Sequence, residues 1–152
     1  MWNRCGTGIS SFIWKDYSDK VIGIDPNIDM LSKAKEKCDE SDVSNIFFQF
    51  GFGNETNLEP NCADIITCSS AFQWMEPQST IKEISRVLID AGVFAMYNHD
   101  QPPTTDWVIE KAYRSLFQNI YRILDNTRED EGRVKLWTIN EYLDTMKKSN
   151  EF

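Results

Sequence analysis

The sequence has a single histidine, His99, and no Cys-x-x-Cys pair among its four cysteines, Cys5, Cys38, Cys62 and Cys68. Zinc centres draw on clustered cysteine and histidine, so the expectation is no metal site, and the thiols read as free, buried core residues. A nucleophilic cysteine wants a histidine beside it, and the order of the chain brings His99 to none of them. Basic residues are also in deficit: 16 Lys and Arg stand against 24 Asp and Glu, a net charge of −8. Neutralising phosphates needs clustered cations, which argues against a nucleic-acid partner. No apolar run approaches the ~20 residues that span a bilayer, and no charged segment with an apolar signal core opens the chain. The expectation is therefore a cytoplasmic protein without a membrane partner. Missing too is a full strand ahead of the first glycine turn, since residues 1–4 make only the stub of one.

What is present begins with that turn, Cys5-Gly6-Thr7-Gly8, and with the apolar run Val21-Ile22-Gly23-Ile24 that stops at Asp25. Glycines let a backbone turn sharply and approach a ligand closely, and a carboxylate at the tip of the next strand can accept both hydroxyls of a ribose. The pairing reads as half of a nucleotide-type cofactor site. With 152 residues and 41% apolar content, the chain is long enough for one packed domain spanning residues 1–152.

Periodicity supplies the rest of the layout. Ile9, Phe12 and Ile13 mark one face of a brief helix; residues 20–25 predict a strand, and a helix runs from Pro26 to about Cys38 with Met30, Leu31 and Ala34 as its stripe. Strands follow at 46–50, 63–68 and 91–97, the last apolar throughout as for a strand covered on both faces. Ile81, Ile84, Val87 and Leu88 give helical spacing over 77–88, and Glu83 and Arg86, three apart, form a surface pair. Beyond residue 97 come a long amphipathic helix over 104–124, a charged loop over 125–133, a short strand over 134–137 and a helix over 138–148, capped by Thr138 with Glu141 three residues on. Strands alternating with helices predict an α/β fold with a mainly parallel sheet, and ligands beyond the carboxyl ends of its strands.

In order along the chain, Cys5 to Gly8, Gly23-Ile24-Asp25-Pro26 with Met30-Leu31, residues 51–58, residues 63–74 ending Ala71-Phe72-Gln73-Trp74, and Glu83 to Leu88 leading to Gly92 resemble the class I S-adenosylmethionine-dependent methyltransferases. The likeness is to the small-molecule branch that includes trans-aconitate methyltransferase-like proteins. It implies a Rossmann-like fold, S-adenosylmethionine as cofactor and a small-molecule methyl acceptor, a carboxylate by analogy with that branch. Residue by residue, it implies that Cys5, Gly6, Thr7 and Gly8 make room for the methionine part of the cofactor and that Asp25, with Pro26 and Met30, holds the ribose end. It also implies that Gly53 and Asn54 line the adenine and that Ser69 lies near the sulfonium. It names no catalytic acid or base, because a methyl on a sulfonium is already activated and the protein has mainly to align the acceptor and exclude water.

The sequence departs from the family's pattern at four places. Trp2 and Arg4 stand where the family has an apolar strand, an acidic residue and a glycine; Phe52 replaces a polar contact to adenine; and Asp90-Ala91 replaces Pro-Gly before Gly92. The first strand of such a sheet lies centrally, between strands two and four, and its loss leaves backbone groups unpaired at ~1–3 kcal/mol each. The expectations are a first strand largely missing, C-terminal strands incomplete, and a fragment or degraded relative with weak cofactor binding. Trp74 is either a wall of the substrate pocket or a core residue, and His99 either a base or an exposed loop residue. A nicotinamide-dependent dehydrogenase would want a third glycine where Ser11 stands, and a non-catalytic binding protein is the other alternative.

Overall fold

A computed structural model describes residues 2–98, 106–127 and 136–149. Strand β1 is Trp2–Arg4, β2 Val21–Asp25, β3 Ile46–Phe50, β4 Ala63–Ser69 and β5 Leu88–Tyr97. Helices α1 (Ile9–Phe12), α2 (Ile28–Glu40) and α3 (Pro77–Val87) alternate with them, and α4 (Trp107–Thr127) and α5 (Ile139–Lys148) follow. The sheet is parallel throughout, in the order β3-β2-β1-β4-β5. This is the α/β, Rossmann-like arrangement that alternating strands and helices predict.

The stub ahead of the glycine turn is a real but short strand. Its three residues take the central place, pairing with Ile22, Gly23 and Ile24 of β2, yet they meet β4 through one pair, Trp2 with Ile66. The prediction for β5 needs correcting. It is an edge strand, as β3 is at the other side, and Val93 and Tyr97 are exposed, so it is not covered on both faces. Between Ala63 and Ile65 the register with β5 shifts, and Ala91, at the site of the Pro-Gly departure, adopts a left-handed φ of 61° that glycine would take without strain.

Two cores flank the sheet. On one face Ile81, Ile84 and Val87 of α3, all nearly inaccessible, pack with Ile24, Ile66, Phe72 and Tyr142. Burying each aliphatic side chain contributes roughly 1.5–3 kcal/mol. On the other face Leu31, Ala34 and Cys38, one stripe of α2, pack with Val21, Ile46 and Phe48. Met30 is not part of that stripe and is partly exposed. The helices start where local chemistry stops orphan N–H groups from going unpaired: Asn27 accepts from Asp29 and Met30, and Thr138 and Glu141 form the reciprocal cap expected of them.

The chain divides into two compact units, Met1–Asn98 with Leu136–Phe152, and His99–Lys135. Within the second unit, Asp106 caps α4 by accepting from Val108 and Ile109, and Arg114 pairs with Glu110 one turn away. Residues 125–127, expected in a loop, end that helix, and Leu136 and Trp137 are not in a strand. His99, the run Arg128 to Glu131, and Val134 lie outside the described residues. No described helix is long and apolar enough to cross a membrane.

Candidate functional site

The strand order turns back between β1 and β4, so the connections leaving these two strands diverge and open a crevice beyond their carboxyl ends. A cleft of ≈ 540 Å³ occupies that position, within the range of small-molecule sites. Its lining comes from the turn after β1 (Cys5, Gly6, Thr7), the tip of β2 (Asp25), the start of α2 (Asn27, Met30), the end of β4 (Ser69, Ser70, Ala71), Trp74, and the end of β5 (Tyr97).

Asp25 is the fixed point. It is 4% exposed, and its two carboxylate oxygens accept one backbone N–H each, from Gly6 at 3.0 Å and Asn27 at 2.9 Å. The glycine turn is thereby clamped to the tip of β2, helped by the Cys5 N–H donating to the Ile24 carbonyl at 3.0 Å. A carboxylate offers about four acceptor positions. Two are not taken by hydrogen bonds from the described residues, and Asp25 lines the cleft; two adjacent ribose hydroxyls require that many. The Cys5 thiol, buried beside it, is pushed up to about 12, by burial first and then by the Asp25 charge, so it is a neutral wall atom and not a nucleophile.

Of the residues assigned to the cofactor from the sequence, the structure brings Cys5, Gly6, Thr7, Asp25, Met30 and Ser69 onto one cleft. Gly8, Pro26, Gly53 and Asn54 are not among its lining. Gly8 has φ +81°, and a methyl group there would meet the Phe48 ring at 2.9 Å, so its lack of a side chain serves packing. A Cβ on Gly53 would lie 2.1 Å from the Met75 sulfur, which turns that glycine toward the core. Trp74 lines the cleft and is 48% exposed, so it is not a core residue.

Ile9, Ser10, Ile13, Asn27, Ser70, Ala71 and Tyr97 also line the cleft and are not among the residues assigned from the sequence. Ile9 and Ile13 carried a helical spacing that reads as a core face, but α1 turns Ser11 inward instead, and the two isoleucines edge the cleft at 66% and 60% exposure. The spacing of Asn27, two residues after an acid at a strand tip, was a usable signal. Nothing marked Tyr97 beyond its place at the end of a strand.

A second buried acid behaves differently. Glu83, 8% exposed, is paired with Arg86 as expected; Arg86 lies on the surface, but the carboxylate it holds is buried. Its carboxylate accepts from the Thr56 backbone N–H at 2.9 Å, the Thr56 hydroxyl, and Arg86 Nε and Nη2 at 2.7 and 2.8 Å. Burial works to raise its pKa, but the Arg86 guanidinium and the Thr56 donors outweigh that and hold it at about 2. Arg86 also donates to the Leu58 carbonyl, so the pair fastens the loop after β3 to α3. Cys62 is the one exposed thiol of the four.

The profile of the methyltransferase-domain family matches residues 4–96. Over 105 residues the chain is 30% identical to a probable S-adenosylmethionine-dependent methyltransferase of Saccharomyces cerevisiae, covering 68% of this chain and 36% of that protein. It is 28% identical to the demethylmenaquinone methyltransferase of Lactococcus lactis over 97% of this chain and 57% of that one. Among solved structures, the YcgJ protein of Bacillus subtilis superposes with a TM-score of 0.71 at 22% identity, covering 96% of this chain and 58% of that chain. The chain thus spans roughly a third to three fifths of the length of these relatives.

Proposed function

The chain belongs to the class I S-adenosylmethionine-dependent methyltransferase domain family, and from that premise we propose that it transfers the methyl group of S-adenosylmethionine to a small-molecule acceptor in the cytoplasm. We assign it to the trans-aconitate methyltransferase-like branch, with a carboxylate as acceptor and no nucleic-acid or membrane partner. The observation that carries the reading is Asp25: a buried carboxylate at a strand tip, tied to a glycine turn, with acceptor capacity left over beside a cleft of fitting size.

In this reading Gly6 lets the turn approach the methionine end, Asp25 takes the ribose hydroxyls, and Ser69 borders the sulfonium. When bound, the cofactor supplies a methyl group already activated for displacement. A carboxylate acceptor is ionised at neutral pH and has no proton to surrender. The residues around it therefore bind, orient and exclude water, and no general base is required. Trp74, Ile9 and Ile13 would shield the bound acceptor from solvent.

Isothermal titration with S-adenosylmethionine and S-adenosylhomocysteine tests the proposal. Micromolar binding of both is expected, and silence toward both would overturn it. A second reading, a methyltransferase-like chain with weak cofactor binding and no catalysis, is favoured by one observation: β1 joins β4 through a single residue pair. Assay of methyl transfer from S-adenosylmethionine to small carboxylates by mass spectrometry separates the two, because turnover would defeat the second.

A further inference from the structure

Four large apolar residues line the cleft beside Asp25: Ile9, Ile13, Trp74 and Tyr97, which are 43–66% exposed. Single exposed apolar residues are ordinary, but several converging on one concavity mark a binding groove. They come from separate elements. Ile9 opens α1 and Ile13 caps it, after β1, whereas Trp74 closes the short 3-10 turn Phe72–Trp74 after β4, and Tyr97 ends β5. The apolar lining is thus supplied from both sides of the point where the strand order turns back.

Trp74 is held in this place by its neighbours. Phe72, two residues earlier, is 2% exposed and stands edge-on to Tyr142 with centroids 4.5 Å apart. The Gln73 carbonyl accepts the Trp137 N–H at 3.0 Å, and the Gln73 side-chain amide donates to the Ser70 carbonyl at 3.1 Å. The turn is therefore fixed from the core side while its indole lines the cleft. A half-exposed indole on a fixed turn is flat apolar surface available to a ligand.

Charge limits the ligand further. Asp25 is the only charged side chain among the described residues of the lining. An acceptor carboxylate is ionised at neutral pH, and the single positive charge of a bound sulfonium matches one such group. A second carboxylate would lose its water without a cation from the described lining, and Asp25 would repel it.

We propose that the cleft selects an acceptor with one carboxylate on a flat apolar body, aromatic or conjugated, and that Trp74, Tyr97, Ile9 and Ile13 bind that body. Acceptors carrying several carboxylates are disfavoured. The inference rests on the methyl-transfer reading of the cleft and deepens it by naming the substrate class.

The test titrates the full chain calorimetrically with 2-naphthoate, a flat apolar monocarboxylate, and with tricarballylate, a polar tricarboxylate. Both are added at saturating sinefungin, a cofactor analogue that carries an amine in place of the S-methyl group. Wild type should bind 2-naphthoate at least about tenfold more tightly than tricarballylate, and Trp74→Ala should weaken 2-naphthoate about tenfold. Ile13→Lys, at an exposed position, should shift the preference toward tricarballylate. Melting temperatures should stay level in both variants. Equal binding of the two probes to wild type overturns the inference, as does tighter binding of tricarballylate, binding of neither probe, or 2-naphthoate affinity unchanged in both variants. A marked fall in melting temperature in Trp74→Ala also overturns it, because the indole would then serve the protein's own packing. Trp74-dependent binding of 2-naphthoate without any binding of sinefungin would keep the apolar subsite and remove the cofactor reading instead.

Discussion

Asp25 and Glu83 are both buried carboxylates, 4% and 8% exposed, and they differ in what their oxygens receive. Glu83 accepts four donors, two from Thr56 and two from Arg86. Asp25 accepts two, both backbone N–H groups, and faces a cleft. A carboxylate has about four acceptor positions, and Glu83 receives four donors, three on Oε1 and one on Oε2, whereas Asp25 receives two among the described residues. Saturation, and not burial, is what separates an acid that holds a fold together from one that can hold a ligand.

The strongest challenge to that contrast is Glu83→Ala. It strips the buried Thr56 N–H and hydroxyl of their acceptor and frees Arg86, so a loss of about 3 kcal/mol is expected in urea unfolding, with S-adenosylhomocysteine affinity unchanged. Acid titration sharpens the same point. Because the folded carboxyl sits at about 2 against an ordinary 4.5, its stabilisation is complete above 4.5 and is lost as pH falls toward 2. Wild type should weaken across that window, and Glu83→Gln should show a flatter melting profile there.

The converse substitution is Asp25→Asn. The amide turns a donor toward one of the two backbone N–H groups and loses an acceptor position for ribose. Affinity for S-adenosylhomocysteine, read by calorimetry, should fall about thirtyfold, with a smaller stability loss than in Glu83→Ala. If stability falls more than affinity, Asp25 is a structural acid after all.

Thr56→Val removes one donor from Glu83 and the oxygen that accepts from the Leu58 N–H. A stability loss of about 1.5 kcal/mol by thermal unfolding is expected. The smallest effect concerns thiols. Cys62, exposed, should alkylate with iodoacetamide at pH 8, whereas Cys5, buried and pushed up to about 12 beside Asp25, should not. Peptide mapping of the labelled protein reads both sites.

How much of this was legible beforehand follows from the reach of each signal. The strands at Val21–Asp25, Ile46–Phe50 and Ala63–Ser69 and the cap of α5 are set by neighbouring residues and were readable, whereas β5 begins at Leu88, three residues earlier than expected, and Leu136 and Trp137 form no strand. Asp25 was readable because a strand tip and a glycine turn are local patterns. The donors to Glu83 were half visible: Arg86 is one turn away on the same helix, but Thr56 lies 27 residues back and meets it only through the tertiary fold. The exposure of β5 was hidden for the same reason, since apolar content reports propensity and not which neighbour covers a strand. Ile9 and Ile13 misled because a cleft rim and a core face share one periodicity.

One ring joins places that look separate in the chain. A methyl group at Gly8 would meet Phe48 at 2.9 Å, and one at Gly23 would meet it at 2.5 Å. The two glycines are therefore two halves of one socket that holds the Phe48 ring, with Ala34 Cβ at 3.2 Å beside the first and Cys5 Cβ at 2.9 Å beside the second. Part of the cost of alanine at either glycine should be relieved when residue 48 shrinks, and a double-mutant cycle should show that coupling across the distance in sequence; the strain of φ +81° at position 8 and the Cys5 contact at position 23 remain. The turn that faces the cleft is thus shaped from behind by a strand that never touches it.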